Sequence, residues 1–236
     1  MKLSPLERDA VSRVIRSRRS IRHYRPDPVP ADLLQELVDL ALEAPSSFNL
    51  QARSVVVVTD EPGRAALADA TGGQPHPREA PVTLVFVAES GAWREDRGDI
   101  WERARRGGAW PEPFAAAAPG DARAFYADPR RRGLEREYAV KDAMIAASFL
   151  MIAAHAAGLA TSPMNGWDEA EVKKAIGIPD RDDLHIALLL PLGRPAESRT
   201  HPGRRDRSLT VHRETYGPTP CGTGAGRRDQ VSGEAR

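Results

Sequence analysis

The sequence predicts an α/β or α+β fold, with helices packed on the faces of a central sheet. Apolar runs at 54–60, 81–90 and 185–193 have the length and composition of buried strands. Segments in which apolar residues recur with helical spacing lie before, between and after these runs. Such alternation of the two element types is typical of a sheet covered by helices.

The helices are predicted from apolar spacing and from the residues at their ends. The segment 33–44 predicts a helix entered through Pro30, with Asp32 as its N-cap. Asp168 is a second candidate N-cap, because a short carboxylate accepts hydrogen bonds from the first free amides of a helix. The remaining short helices are expected at 10–15, 62–70 and 168–177.

The longest apolar run, 143–160, predicts a buried central helix. It contains His155, is rich in alanine and directly follows Lys141 and Asp142, which argues against a membrane span despite its length. Its apolar circumference needs cover on more than one side. His155 is expected to be a hydrogen-bonded core or interface residue rather than a catalyst.

The segment 93–136 differs from the chain on either side of it. It is rich in arginine, is broken by glycine and proline, and carries aromatic residues such as Trp110 and Phe125. We expect an insertion or cap, with a solvent-facing helical excursion as the alternative. The chain is expected to form one domain over 1–216, followed by a disordered tail at 217–236.

Composition excludes several classes of partner. The 236 residues include 34 Lys and Arg against 33 Asp and Glu, so a basic patch must be local and face a small anion rather than nucleic acid. A single cysteine, Cys221, and the absence of an apolar leader favour a reducing cytoplasm. The six histidines lack the close spacing of a metal site, and no metal is expected. The GTGAG motif at 222–226 lacks the strand and helix of a dinucleotide loop.

A concentration of basic residues at 17–26 is the first candidate site. Its guanidinium groups could bind a phosphate, because they donate paired hydrogen bonds to its oxygens and stay charged. A charged helix end in water is the alternative. The candidates are Arg18, Arg19, Ser20 and Arg22. A later basic run adds Arg204, Arg205 and Arg207.

Two turn segments carry polar groups suited to a ring or a sugar-like chain. The first contains Ser46, Ser47, Asn49 and Gln51. The serines and Asn49 are ordinary turn formers, whereas Gln51 adds an amide that a turn does not require. In the second, at 163–168, Gly166 either provides a positive φ or lets backbone N–H groups approach a flat ring.

Four stretches together resemble the FMN-dependent nitroreductase family. They are RRSIRHY, APSSFNLQARSVVVV, AAHAAGLATSPMNGWD followed by GIPDRDDLHIALLLPLGRP, and HPGRRDR. Their order and spacing carry the resemblance over 18–209, apart from 93–136. The resemblance implies an α+β fold with a mostly antiparallel sheet flanked by helices. It also implies an intertwined homodimer with FMN at the interface and NADPH or NADH as electron donor.

The resemblance assigns roles to the candidate residues. It implies that Arg18, Arg19 and Ser20 hold the FMN phosphate and that Arg22 supports them. From the late basic run, Arg205 would join them, with Arg204 and Arg207 as competitors for that role.

The two turns would hold the rest of the flavin. Asn49 and Gln51 would address the ribityl chain or the pyrimidine edge, while Ser46 and Ser47 come from the partner subunit. A loop over one flavin face would be formed by Pro163, Met164, Asn165 and Gly166. A backbone N–H near the last two would meet flavin N5.

One departure from the family pattern concerns the first turn. The family frequently has Pro-Trp where this chain has Ala52 and Arg53. The change removes an aromatic wall or neighbour on the pyrimidine side.

We expect an FMN-dependent NAD(P)H oxidoreductase that reduces a small, planar, electron-poor acceptor such as a nitroarene or quinone. Hydride transfer needs no acid from the protein, so no catalytic side chain is expected. Trp110 and Phe125 are candidate acceptor contacts. The alternatives are a flavin-dependent oxidase, dehydrogenase or dehalogenase that tailors a metabolite, and a flavin-binding sensor or carrier without turnover. The expected assembly is a cytoplasmic homodimer with no nucleic acid or membrane partner.

Overall fold

The computed structural model describes residue 2 and residues 4–128, 132–178 and 181–217. It divides the chain into one unit, Met1–Thr200, and a second unit that begins at His201. Cys221, the GTGAG motif and all but the first residue of the expected tail lie outside the described residues. The boundaries of a domain over 1–216 and of a disordered tail therefore stay predictions.

Eight α-helices lie within the described ranges. They are α1, Pro5–Ser17; α2, Ala31–Leu42; α3, Glu61–Ala70; α4, His76–Glu79; α5, Gly98–Arg106; α6, Glu112–Ala127; α7, Glu135–Ala156; and α8, Glu169–Ala175. The first begins with a capping box, in which the side chains of Ser4 and Glu7 accept hydrogen bonds from each other's backbone N–H groups. This box starts the helix five residues before the apolar spacing predicts.

The four strands form one antiparallel sheet, which confirms the α+β class. They are β1, Arg53–Val58; β2, Val82–Glu89; β3, Ala160–Thr161; and β4, Leu184–Gly193, and their order is β1-β2-β4-β3. Val56 pairs with Val85, and Val85 pairs with Leu189 on its other side. The sequence left α/β open because apolar runs buried on both faces do not reveal strand direction.

Helices cover both faces of this sheet. On one face, Leu37 of α2 and Leu150 of α7 pack with Leu84, Phe86 and other residues of the sheet. The opposite face packs against α3 and α8, whose contributions include Leu67 and Val172. Burial from both sides explains why β2 and β4 read as continuous apolar runs rather than alternating ones.

Helix α7 presents two apolar faces. Residues at helical spacing bury one face against the sheet, namely Ala139, Ala143, Ala146, Ala147, Leu150 and Ala154. On the other face, Ile145, Phe149 and Ile152 remain 37%, 41% and 37% exposed. By length and composition the helix could cross a membrane, but a core helix passes the same test.

The expected N-caps had different outcomes. Asp168 caps α8, and its carboxylate accepts a hydrogen bond from the Glu171 N–H at 3.1 Å. Asp32 is not an N-cap, because Pro30 takes that position and α2 starts at Ala31. Asp32 instead lies in the first turn, where a negative charge still favours the helix.

Candidate functional site

A compact turn at 46–51 gathers four of the predicted site residues. The Asn49 N–H donates to the Ser46 carbonyl at 3.0 Å, and the Gln51 N–H donates to the Ser46 hydroxyl at 2.9 Å. The Gln51 side-chain amide donates to the Asn49 side chain at 3.4 Å. Ser46, Ser47, Asn49 and Gln51 therefore belong to one structural unit, which leads directly into β1.

This turn has an unusual backbone. Phe48, Asn49 and Gln51 have φ angles of 51°, 54° and 51°, in the left-handed region that costs a residue with a Cβ roughly 1–2 kcal/mol. Asn tolerates this region better than most residues, whereas Phe does not. Surrounding contacts must hold such a conformation, and clusters of this kind are common at binding sites.

Helix α7 contacts the turn through a buried carboxylate. Asp142 is 6% exposed, and its oxygens accept hydrogen bonds from the Ser47 N–H at 3.3 and 3.4 Å. Burial raises the pKa of Asp142, while the Ser47 N–H and the Arg53 charge act in the opposite direction. The signal in the sequence was a lone carboxylate inside an alanine-rich helix, which we interpreted only as evidence against a membrane span.

Arg53 stabilises the segment before the turn. Only 6% of the residue is exposed, and its guanidinium donates to the carbonyls of Leu42, Ala44 and Pro45. These carbonyls follow the end of α2 or belong to it, where helix geometry leaves them without partners. The Arg53 side chain, at the position that departs from the family pattern, therefore points into the protein interior.

The basic stretch runs from the end of α1 to the edge of the sheet. The Arg18 N–H ends the helix by donating to the Val14 carbonyl at 3.1 Å. Ser20 forms a parallel bridge with Thr161 in β3. The Arg19 guanidinium folds back and donates to the carbonyls of Arg16 and Arg18, both at 2.7 Å. Arg19 therefore caps α1 as well as carrying charge.

Two buried polar atoms lie where this stretch meets β3. Arg19 Nε and Thr161 Oγ1 have no hydrogen-bond partner among the described residues. A buried donor without a partner is costly, so such groups generally indicate an absent ligand or water. An anion with several oxygens suits Arg19 Nε in particular, because it is a charged donor and Arg19 lines a cavity. The residues present thus fit a phosphate at this position.

His155 lies beside the basic stretch. Its Nε2 shares a hydrogen bond of 2.8 Å with the Ser17 hydroxyl, which agrees with the expectation of a hydrogen-bonded residue. Burial lowers its pKa, and the charges of Arg18 and Arg19 lower it further. A cavity of about 220 Å³ is lined by His155, Arg19, Arg199 and neighbouring residues.

The loop at 163–166 lies along β4. Met164 forms a bridge with Leu189, and its N–H donates to the Leu189 carbonyl at 3.0 Å. The Met164 side chain is buried in the core, whereas Pro163, Asn165 and Gly166 are exposed. Gly166 does not have the positive φ considered for it, and a Cβ at this position would make only an ordinary contact with the Gln74 side chain at 3.6 Å.

The candidate residues form two separate groups in the fold. The basic stretch and the 163–166 loop adjoin β3 and β4, whereas the turn at 46–51 precedes β1 on the other edge of the sheet. Three strand spacings separate these edges, roughly 14 Å. Thr161 pairs with Leu192, while the partner of Arg53 in β2 pairs with His185. That difference along β4 adds roughly 20 Å.

The segment 93–136 contains α5 and α6, which pack an aromatic cluster against the turn. Phe125 lies 5.5 Å from the Phe48 ring and 5.7 Å from the Tyr138 ring. Trp110 is partly buried at the edge of the cluster, with its ring 4.9 Å from Phe114. A cavity of about 400 Å³ lies between α5 and the turn, and Asn49 and Gln51 line it.

The late basic residues belong to the second unit. Arg205 and Arg207 are exposed and flank Asp206, whose side chain accepts a hydrogen bond from the Ser208 N–H at 2.7 Å. This contact caps a short 3-10 turn, Arg207–Leu209. A role for Arg205 or Arg207 in phosphate binding stays a prediction.

Comparison with known proteins gives consistent results. The family model described as Nitroreductase family matches residues 15–194. A Thermus thermophilus protein named NADH dehydrogenase is 38% identical over 180 residues, covering 76% of this chain and 84% of the relative. Protein DrgA of Synechocystis is 29% identical and covers 88% of this chain and 93% of its own.

Solved structures share the fold. The Bacillus subtilis protein ydfN matches with a TM-score of 0.78 and 25% identity, covering 87% of this chain and 99% of its own. A structure in complex with FMN from Exiguobacterium sibiricum matches with a TM-score of 0.75 and 22% identity, covering 83% and 93%. With the family model matching most of the chain and a relative at 38% identity, the protein belongs to the nitroreductase family.

Proposed function

We propose that this protein is an FMN-dependent NAD(P)H oxidoreductase that reduces a small, planar, electron-poor acceptor. The observation that carries the proposal is the pair of buried polar atoms without partners, Arg19 Nε and Thr161 Oγ1, beside a basic stretch in a nitroreductase fold. FMN has a phosphate that such a site can hold. The names of relatives, NADH dehydrogenase and FMN reductase [NAD(P)H], support a reduced nicotinamide as electron donor.

The basic stretch binds the phosphate end of the cofactor. Arg18 and Arg19 supply charge, Ser20 supplies a hydroxyl, and Arg22 adds positive potential nearby. Arg205 and Arg207 stay predicted phosphate ligands on the resemblance alone. Paired donors on charged groups favour phosphate over a neutral ligand of similar size.

All four polar residues of the turn at 46–51 bind the flavin of the partner subunit. Within one chain, the turn and the basic stretch lie at opposite edges of the sheet, too far apart to bind the same ligand. The resemblance assigned only Ser46 and Ser47 to the partner, but Asn49 and Gln51 belong to the same turn. One subunit therefore supplies the phosphate site and the 163–166 loop, and the other supplies all four turn residues.

FMN, when bound, supplies the reversible acceptance of a hydride. The chain's contribution is to hold and orient this group and to exclude water from it. Exposed backbone at Asn165 and Gly166 leaves N–H groups available for a ring. No side chain of the site is required as an acid or base.

A homodimer follows from the second apolar face of α7. Ile145, Phe149 and Ile152 expose a stripe that one chain does not cover, and such a stripe is typical of an interface. An obligate interface of this type buries more than about 2,000 Å². We place this dimer in the cytoplasm, acting on small molecules.

The test is an absorbance spectrum of the purified protein, recorded before and after anaerobic addition of NADPH and, separately, NADH. Bound FMN gives a yellow protein, and a reduced nicotinamide bleaches it. Bound flavin that neither donor bleaches would contradict an oxidoreductase and favour a carrier. Oxidation of NAD(P)H with and without a nitroarene or quinone then separates reductase from oxidase activity.

A further inference from the structure

The segment 93–136 contacts the turn through polar groups as well as through its aromatic rings. Trp101 of α5 is buried, and its indole N–H donates to the Phe48 carbonyl at 3.0 Å. From α6, the Tyr126 ring packs on the Phe48 ring at 6.5 Å. Its hydroxyl lies near the Ser47 side chain, which offsets part of the rise that burial causes in the pKa of Tyr126. The turn is thus contacted by both helices of this segment.

These contacts lie where the backbone is least stable by itself. Phe48 has a left-handed backbone conformation that its side chain disfavours. Asn49 and Gln51, on either side of Leu50, also have left-handed conformations. The Trp101 indole fixes the Phe48 peptide, and the Phe125 and Tyr126 rings pack on the Phe48 ring at 5.5 and 6.5 Å. Without them, the free turn would populate other conformations.

We propose that Trp101 and Tyr126 are positioning residues, which hold the turn so that Asn49 and Gln51 are preorganised to bind the flavin. The inference rests on the proposed function, because it assumes that the turn contacts FMN. The proposal assigns a role to α5 and α6, which belong to the segment outside the family resemblance. Trp101 would act through the Phe48 carbonyl, and Tyr126 through the Phe48 ring and the Ser47 side chain.

Trp93 provides a matched control for Trp101. Both indoles belong to the same aromatic cluster, but the buried Trp93 Nε1 has no hydrogen-bond partner among the described residues. Trp93→Phe and Trp101→Phe each replace an indole by a smaller ring, whereas only Trp101→Phe removes a bond to the turn. Tyr126→Phe is a milder variant, since it removes one hydroxyl and keeps the ring.

The experiment titrates FMN into the apoproteins of the parent and the three variants and follows flavin fluorescence. The visible circular dichroism of bound flavin and the thermal midpoint of each apoprotein are recorded alongside. Trp101→Phe should weaken FMN binding by about 3- to 10-fold, the effect of one lost hydrogen bond, and Tyr126→Phe, which loses the hydroxyl beside Ser47, should weaken it in the same direction. Both should also change the flavin dichroism, while Trp93→Phe stays within about twofold of the parent.

Each outcome decides the proposal. Equal FMN affinity in Trp101→Phe and Trp93→Phe overturns it, even if Trp101→Phe is less thermostable, because that result describes a purely structural tryptophan. If Trp101→Phe does not fold, Tyr126→Phe is judged by the same criterion. A parent protein that binds no FMN refutes the proposed function, whereas a parent that binds it and variants that equal it refute only the positioning role.

Discussion

Single buried polar residues in this protein bind backbone groups at places where regular structure ends. The Arg53 guanidinium binds carbonyls after α2, Asp142 binds the Ser47 N–H, and the Tyr24 hydroxyl donates to the Ile21 carbonyl at 2.6 Å. Such backbone groups lack partners within their own element, and leaving them unpaired costs stability. Nearby side chains support the backbone in two of these cases, whereas Asp142 reaches the turn from a distant part of the sequence.

Arg19 offers a test of the phosphate site. Arg19→Ala should weaken FMN binding by about one to two decades, because it removes a charge-assisted contact worth about 1.5 to 3 kcal/mol. It should also lower the thermal midpoint of the apoprotein, since the same side chain caps α1. Arg13→Ala, an exposed arginine on that helix, is the control for lost charge. Unchanged FMN affinity in Arg19→Ala would contradict the assignment.

Three histidines should make stability depend on pH. Burial lowers the pKa of His76, His155 and His185 below the ordinary 6.5, and nearby positive charges lower it further. As pH falls, the unfolded chain binds these protons first, so the free energy of unfolding should decrease between about pH 7 and 5. Carboxylates bound to arginine, such as Glu102 with a pKa of about 2, stay ionised there.

Urea unfolding at pH 7.5 and 5.5 measures this dependence. The His185 side chain is only 15% exposed, so its protonation is disfavoured in the folded protein. His185→Asn removes this titrating group and should therefore reduce the loss of stability at the lower pH. An unchanged difference between the two pH values in this variant would show that His185 does not contribute to it.

At the scale of elements, α5 and α6 form a small core of their own. Trp101, Ala118, Ala122 and Tyr126 are buried there together with Leu50 from the turn. This arrangement combines features of both sequence-based alternatives, since the segment is helical and also lines a cavity with Asn49 and Gln51. Trp110 and Phe125 have different positions in it, and this difference can be tested.

Trp110→Ala and Phe125→Ala should have different effects. Trp110 lies at the edge of the cluster, so its loss should change reoxidation by a bulky aromatic acceptor several-fold while FMN content is kept. Phe125 is partly buried but contacts three rings, so its loss should lower stability by about 0.5 to 3 kcal/mol. Separate measurement of flavin reduction and reoxidation checks the first effect, and unchanged reoxidation with every acceptor would contradict it.

At the scale of the whole molecule, one chain does not complete the site that its residues suggest. The phosphate-binding group and the turn lie at different edges of the sheet, while an apolar stripe remains exposed on α7. The proposed homodimer accounts for both observations, because a second copy would cover the stripe and bring its turn to the proposed phosphate site of the first copy.

Phe149→Glu tests this assembly. A charge in the centre of an apolar interface is strongly disfavoured, so the variant should shift from dimer to monomer in light scattering and lose FMN. Ala170→Glu places the same residue at an exposed position of α8 and should leave the dimer intact. A parent protein that is monomeric at micromolar concentration and still holds FMN would contradict the shared site.

The sequence by itself determined most elements of the fold, and it named candidate site residues that stay a prediction. Apolar runs identified three of the four strands because burial on both faces leaves a clear pattern, and Asp168 identified a helix start because its side chain caps locally. The two-residue strand β3 left no such pattern. The order of basic, turn and glycine-containing stretches was sufficient to reveal the family, since these stretches are short and local.

Only the tertiary structure decided how these stretches relate in space. Strand pairing, the contact of Asp142 with Ser47 and the bond from Trp101 to Phe48 all join residues far apart in the chain. Spacing along a sequence carries no signal for such contacts, because they depend on which faces meet after the sheet has formed. For the same reason, the sequence placed four candidate residues in one turn without revealing that this turn lies at the opposite edge of the sheet from the basic stretch.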